Sequence, residues 1–193
     1  FEQSEILYLS RCPDVINAQE GFFDVESVWP KLEQALRQAI SNLVAMRETE
    51  GSNIYGDFIK RADLIAEKLA VIEERSPQVV EEYQIRLSDR INELLAKHNQ
   101  VIEPERLLQE VAIFADRTSI TEEIVRLKSH IKQFKLIIDA DQPVGRKLDF
   151  LIQEFNREAN TIASKANDYT LAQVVVEIKA EIEKIREQIQ NIE

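Results

Sequence analysis

The sequence predicts an all-α protein: a long antiparallel helical hairpin followed by a C-terminal helical bundle, with a short extended N-terminal arm. Three observations carry that reading. Only 4 of 193 residues are Gly and 5 are Pro, where average usage would supply roughly 13 glycines. All-β folds need turn residues every ~8–12 positions, and this chain lacks them. Its apolar residues recur at three-four spacing over most of its length, the signature of amphipathic helices, and helix-start residues stand where those stretches begin.

Residues 1–24 hold Ile6, Tyr8, Leu9, Val15 and Ile16, broken by Cys12-Pro13 and Gly21. They read as an extended arm with one or two short strands, the remnant of a truncated N-terminal domain, in a chain that opens on Phe1 rather than Met. Asp24 or Ser27 can cap the next helix, whose stripe is Val28, Leu32, Leu36, Ala39, Ile40, Leu43 and Val44. The same phase returns in Ile54, Phe58, Ala62, Ile65, Leu69 and Ile72. Ser76-Pro77 reads as an N-cap followed by Pro at the first helical position, so Val80, Tyr83, Leu87, Ile91 and Leu94 are expected on a returning helix that completes a hairpin over 25–102.

The periodic pattern stops at Asn99 to Pro104, the expected boundary of a C-terminal helical domain over 103–193. Glu103-Pro104 starts a helix with Leu107, Leu108, Val111 and Phe114. Ser119-Ile120-Thr121-Glu122 has the form of a capping box and opens a helix striped by Ile124, Leu127, Ile131, Phe134 and Ile138, ending in Asp139-Ala140-Asp141. Pro143-Val144-Gly145 introduces another, with Leu148, Leu151, Ile152, Phe155, Ala159, Ile162, Ala163 and Ala166 on one face. Asp168 or Thr170 caps the last, whose Leu171, Val174, Val175, Ile178, Ile182, Ile185, Ile189 and Ile192 form a near-heptad seam. Residues 1–102 carry 11 basic and 18 acidic side chains and residues 103–193 carry 13 and 17, so the second part is the less acidic.

Composition narrows function. The formal charge of −11 argues against a general electrostatic coat for nucleic acid but leaves room for a local basic groove. The single cysteine, Cys12, rules out an internal disulfide and a cysteine-built zinc site. No apolar run approaches the ~18 residues of a membrane span and no leader opens the chain, so a soluble, cytoplasmic protein without a membrane partner is expected. Gly-rich phosphate loops, nucleophile elbows and HExxH motifs are absent from the sequence.

Several polar residues exceed what the fold needs. On the helix from Gly145, Asp149, Gln153, Asn156 and Asn160 share a row beside the apolar stripe, and Glu154 and Glu158 form a second row one turn apart, with Arg157 between and Arg146 a face away. A solvated face with internal ion pairs is one reading; a polar site is the other, because Asn is a poor helix former. On the last helix, Glu177 and Glu181 repel unless a cation sits between them. Oxygen ligands of that kind suit Mg²⁺ or Mn²⁺, while an ordinary coiled-coil flank pairing Glu with Lys across the interface is the reading the spacing itself favours. Lys128, Lys132 and Lys135 can track a phosphate backbone. Arg126 and His130 lie on the other side of their helix, and His130 serves either as a general acid or base near neutral pH or as a surface histidine. Arg47, Glu50 and Gly51 break the apolar phase of the first long helix, marking an exposed or kinked segment, or a site.

Taken together, Leu107-Leu108-Gln109-Glu110, Ala115-Asp116-Arg117, Leu127-Lys128-Ser129-His130, Val144-Gly145-Arg146-Lys147-Leu148-Asp149-Phe150, Gln153-Glu154-Phe155-Asn156-Arg157-Glu158, Asn160-Thr161, Ser164-Lys165 and the terminal Arg186-Glu187-Gln188-Ile189-Gln190-Asn191-Ile192-Glu193 resemble the YicC-like family of bacterial proteins. Arg47-x-x-Glu50-Gly51 resembles its middle region and Arg11-Cys12-Pro13-Asp14-Val15-Ile16 the end of its N-terminal domain, most of which is absent. The resemblance implies a divalent-metal-dependent endoribonuclease that cuts single-stranded regions of RNA in bacterial RNA turnover or stress response and assembles as a ring-like homo-oligomer, a hexamer when full length. Under that reading Glu154, Glu158 and Glu181 hold Mg²⁺ or Mn²⁺, Glu154, Glu158 and His130 are catalytic, and Arg146, Lys147, Arg157, Lys165, Lys128, Arg117 and Arg47 grip RNA. The alternative is a non-catalytic oligomeric adaptor that binds RNA or recruits other ribonucleases. The long stripe over residues 28–72 needs a partner helix or subunit to cover it, so a homo-oligomer is expected under either reading.

Overall fold

The structure is a computed structural model that describes residues 3–9, 11–12, 25–96, 103–140, 142–190 and 192. Among them are six helices and no strand: α1 (Gln3–Leu9), α2 (Val25–Ala96), α3 (Pro104–Arg117), α4 (Thr121–Ile138), α5 (Gly145–Lys165) and α6 (Tyr169–Ile189). No helix among the described residues is long and apolar enough to cross a membrane. The Asp24 cap, residues Val15, Ile16 and Gly21, the Asn99–Ile102 part of the expected boundary, Asp141, Asn191 and Glu193 lie outside the described residues. The chain divides into two units, Phe1–Thr49 and Glu50–Glu193, with α2 contributing to both.

The first unit holds α1 and the opening of α2. The strand expected around Ile6, Tyr8 and Leu9 is a helix instead. Ile6, Leu7, Tyr8 and Leu9 are consecutive apolar residues with none of the alternation that a half-buried strand requires. Val28, Leu32, Leu36, Ile40, Leu43 and Val44 keep the expected stripe on α2, each 42–56% exposed.

The second unit is a helical bundle, and its ion pairs fix the helix directions. Asp63 and Glu73 of α2 meet Lys135 and Lys128 of α4, and Tyr55 donates to Asp139 just past its end, so α2 and α4 are antiparallel. Arg61, Lys68 and Arg75 meet Glu181, Glu177 and Asp168, so α6 also runs against α2, and α5 packs between α4 and α6. The core seams are those expected from the sequence: Phe58, Ala62, Ile65, Leu69 and Ile72 of α2 meet Leu127, Ile131 and Phe134 of α4, Leu148, Ile152 and Phe155 of α5, and Leu171, Ile178, Ile182 and Ile185 of α6. Phe134 links Phe58 and Phe155 with ring centroids 5.5 and 5.9 Å away. Each such buried ring contributes about 1.5–3 kcal/mol. Outside the bundle, α3 docks through Phe114, stacked on Tyr83 at 3.7 Å.

The reversal expected at Ser76-Pro77 is not there. The helix runs through to Ala96, so the hairpin is replaced by one 72-residue helix. Interior proline removes a helical hydrogen bond and crowds the preceding turn, but fastening on both sides outweighs it. Val79 is buried seven residues after Ile72, and Arg75 reaches across Pro77 to Glu82 at 2.5 Å. The expected capping box at Ser119 is not formed either. Ile120 occupies the cap position without a side-chain cap bond, and its burial fixes the helix entry instead. Asp168, one of two candidates, does cap α6, accepting from the Leu171 N–H at 2.9 Å.

Candidate functional site

Antiparallel packing of α4 on α5 aligns two polar rows into one seam. Glu123, Arg126 and His130 recur at steps of three and four on α4, and Glu154, Glu158 and Lys165 share a face of α5. Lys165 donates to Glu123 at 2.9 Å, Arg126 stands 3.9 Å from Glu158, and one ligand atom from each of His130, Glu154 and Glu158 lies within 4.8 Å of the others. Glu158 is only 3% exposed, and its nearest cation is too distant for a hydrogen bond. His130 Nδ1 is buried and has no hydrogen-bond partner among the described residues, while its ring lies 6.4 Å from that of Phe155. Burying a carboxylate with so little compensation is costly. A nitrogen and two carboxylates at this separation form a donor set able to take a divalent cation.

Deeper along the seam, burial pushes the Glu123 carboxyl up, but the Lys165 hydrogen bond and neighbouring positive charge hold it below the ordinary value. At the other end opens a cleft of about 400 Å³ lined by His130, Gln133, Arg146, Lys147, Phe150 and Glu154, among others. Arg146 and Lys147 have no carboxylate partner among the described residues.

The remaining expected site residues fall elsewhere or are already paired. Glu181 does not join Glu154 and Glu158. It accepts from Arg61 at 2.7 Å and Lys184 at 2.6 Å, and Glu177 pairs with Lys68. The cations demanded by the acidic row on α6 are therefore those of the α2–α6 interface, the coiled-coil flank reading. The Lys184 hydrogen bond, with that of Arg61, keeps the Glu181 carboxyl below its usual value against the effect of burial. Lys128 is paired to Glu73 at 2.6 Å and Lys165 to Glu123. Arg157 lies 3.6 Å from Glu154 and lines a second, amide-rich groove with Gln153, Asn156 and Asn160. Arg117 is exposed at the end of α3, and Arg47 belongs to the first unit. Arg126, read in the sequence only as sharing the His130 side of its helix, gained Glu158 as a neighbour only once α5 was packed against it. Glu123 gave no signal without that helix, whereas Phe150, quoted only within a motif, could have been marked as an aromatic off the buried phase of α5.

A family model described as endoribonuclease YicC-like, C-terminal, matches residues 72–193, and one described as endoribonuclease YicC-like, N-terminal region, matches residues 2–56. The chain is 48% identical over 188 residues to a probable endoribonuclease YicC of Clostridioides difficile (strain 630), covering 97% of this chain and 64% of that protein. It is 37% identical over 183 residues to a probable endoribonuclease YicC of Haemophilus influenzae, covering 95% of this chain and 62% of the relative. The chain thus spans less than two thirds of the length of either.

Proposed function

The chain belongs to the YicC-like endoribonuclease family, and from that premise we propose that it is an endoribonuclease cleaving single-stranded regions of RNA at His130, Glu154 and Glu158. The observation that carries the reading is the convergence of these three side chains, from two helices, in a seam where Glu158 is buried and His130 and Glu154 are half-buried, opening into a cleft with Arg146 and Lys147, which have no carboxylate partner among the described residues. The donor set fits a divalent cation, Mg²⁺ or Mn²⁺, and its imidazole tilts the preference toward Mn²⁺. Glu154, Glu158 and one nitrogen of His130 would hold the ion. When bound, such an ion activates water and stabilises charge on a scissile phosphate.

The chain's own groups do the rest. Imidazole has two nitrogens, so His130 can face the carboxylates with one and hold or release a proton with the other near neutral pH. Arg146 and Lys147 attract the RNA backbone and set its approach. Arg126 and Arg157 each stand beside one carboxylate and offset the repulsion an incoming phosphate would meet. Phe155 lies beside the imidazole ring, with centroids 6.4 Å apart. We place this activity in the bacterial cytoplasm, in RNA turnover or stress response, and in a homo-oligomer, a hexamer for the full-length protein, assembled with the exposed α2 stripe. Such an assembly would recruit other ribonucleases.

Incubating the protein with labelled single-stranded RNA in Mn²⁺, Mg²⁺ or chelator tests the reading. Cleavage is expected with metal, with Mn²⁺ at least as effective as Mg²⁺, and none with chelator. RNA binding without cleavage in every metal would instead establish the non-catalytic adaptor.

A further inference from the structure

Phe150 is 64% exposed. A single exposed aromatic is ordinary on a protein surface, and its position is what distinguishes this one. The buried face of α5 runs through Leu148, Leu151, Ile152 and Phe155, which turns Phe150 out of the core and into the cleft beside the His130–Glu154–Glu158 cluster. Arg146, Phe150 and Glu154 stand at i, i+4 and i+8, so a cation, an aromatic ring and a carboxylate of the cluster follow one another along a single row, about 6 Å apart at 1.5 Å per residue.

The charges of that cleft are unusual for this molecule. In a chain with 35 acidic and 24 basic side chains, Arg157 and Lys165 of the same helix are both paired, whereas Arg146 and Lys147 have no carboxylate partner among the described residues. They are left for an anion from outside. Gln133, exposed across the cleft, has no hydrogen-bond partner among the described residues and offers an amide to a polar edge. The volume, about 400 Å³, lies within the ~300–1,000 Å³ of small-molecule pockets.

We propose that Phe150 is the stacking platform for one unpaired base of the RNA substrate, with Arg146 and Lys147 holding the adjoining phosphates and Gln133 facing the base edge. The proposal rests on the endoribonuclease reading and gives it a physical basis for strand selection. A base inside a duplex is covered on both faces by its neighbours, so only an unpaired one can present a face to the ring. Stacking tolerates any base, so the cleft selects for strandedness rather than sequence.

The experiment uses Phe150→Leu, which keeps an apolar residue at an exposed site, and Phe150→Trp, which restores a stacking face. Phe150→Leu is expected to raise KM for single-stranded RNA about 5- to 100-fold with kcat little changed, and Phe150→Trp to bring KM back. As a readout independent of turnover, Glu158→Gln is mixed with RNA oligonucleotides carrying 2-aminopurine at successive positions. Quenching at one position, lost on adding Phe150→Leu, supports the platform even if the protein binds RNA without cutting it. Unchanged KM and unchanged quenching in Phe150→Leu, while the parent protein still cleaves, would overturn the platform and leave the nuclease reading standing. A fall in molecular mass caused by Phe150→Leu would overturn it too, reassigning the ring to a subunit contact. A parent protein that neither cuts nor binds RNA would overturn both.

Discussion

Arg75 shows how much one side chain joins in this bundle. Its guanidinium donates to Glu82 at 2.5 and 2.9 Å within α2 and to Asp168 at 2.9 Å on α6, and Asp168 also caps α6. Burial raises the Asp168 carboxyl, but Arg75 and the Leu171 N–H outweigh it and hold the group below the ordinary aspartate value. A carboxyl lowered in the folded state stabilises it fully above the unfolded pKa, about 3.9, and loses that contribution as pH falls through that value toward the folded one. Urea unfolding at pH 7, 5, 4 and 3 should therefore show stability falling below about pH 4, and less steeply in Asp168→Asn, which keeps a good cap but no charge. Asp168→Ala, losing the cap as well, should be destabilised by about 1 kcal/mol more than Asp168→Asn at pH 7. An identical pH profile in wild type and Asp168→Asn would show that the Arg75 pair contributes nothing. The same scale shows what sequence could reveal of the candidate site. Glu154 and Glu158, one turn apart, were legible as a pair. Glu177 and Glu181 have the same spacing, and nothing in it tells which pair faces a histidine and which faces Arg61 and Lys68. That depends on which helix lies opposite.

At the scale of the element, periodicity fixed the faces and local punctuation misplaced the ends. The stripes of α2, α4, α5 and α6 were all legible because burial in a bundle demands three-four spacing. The turn at Ser76-Pro77 was misread because a Ser-Pro pair looks alike at a helix start and inside a helix held by Val79 and Arg75. Ser119 was misread as a cap because burial of Ile120 starts the helix one residue later. Gly56 lies inside α2 with nothing within 4 Å of where a Cβ would stand. Interior glycine weakens a helix, so Gly56→Ala should raise stability by about 0.5–1 kcal/mol in urea unfolding. A loss of stability would mean that α2 needs a break there. Gly51 meets the same open space, which favours a tolerated small residue over a built kink.

For the whole molecule, the order of helices around the bundle matters most. Because α4 and α5 are neighbours and antiparallel, His130 comes to Glu154 and Glu158. Because α6 lies against α2, Glu181 is taken up by Arg61. Neither fact is present in any single helix, which is why the all-α class was legible and the surroundings of each carboxylate were not. The net charge of −11 leaves the proposed RNA substrate a local attraction at the mouth of the acidic cluster, where Arg146 and Lys147 have no carboxylate partner among the described residues and a local field can act against the total charge. Two isosteric substitutions test this account most directly: Glu158→Gln and Glu181→Gln, each assayed for Mn²⁺-dependent cleavage of single-stranded RNA. Glu158→Gln should lower the rate at least about 100-fold and Glu181→Gln should leave it little changed. Full activity in Glu158→Gln, or loss in Glu181→Gln with the fold intact, would contradict the placement of the centre between α4 and α5.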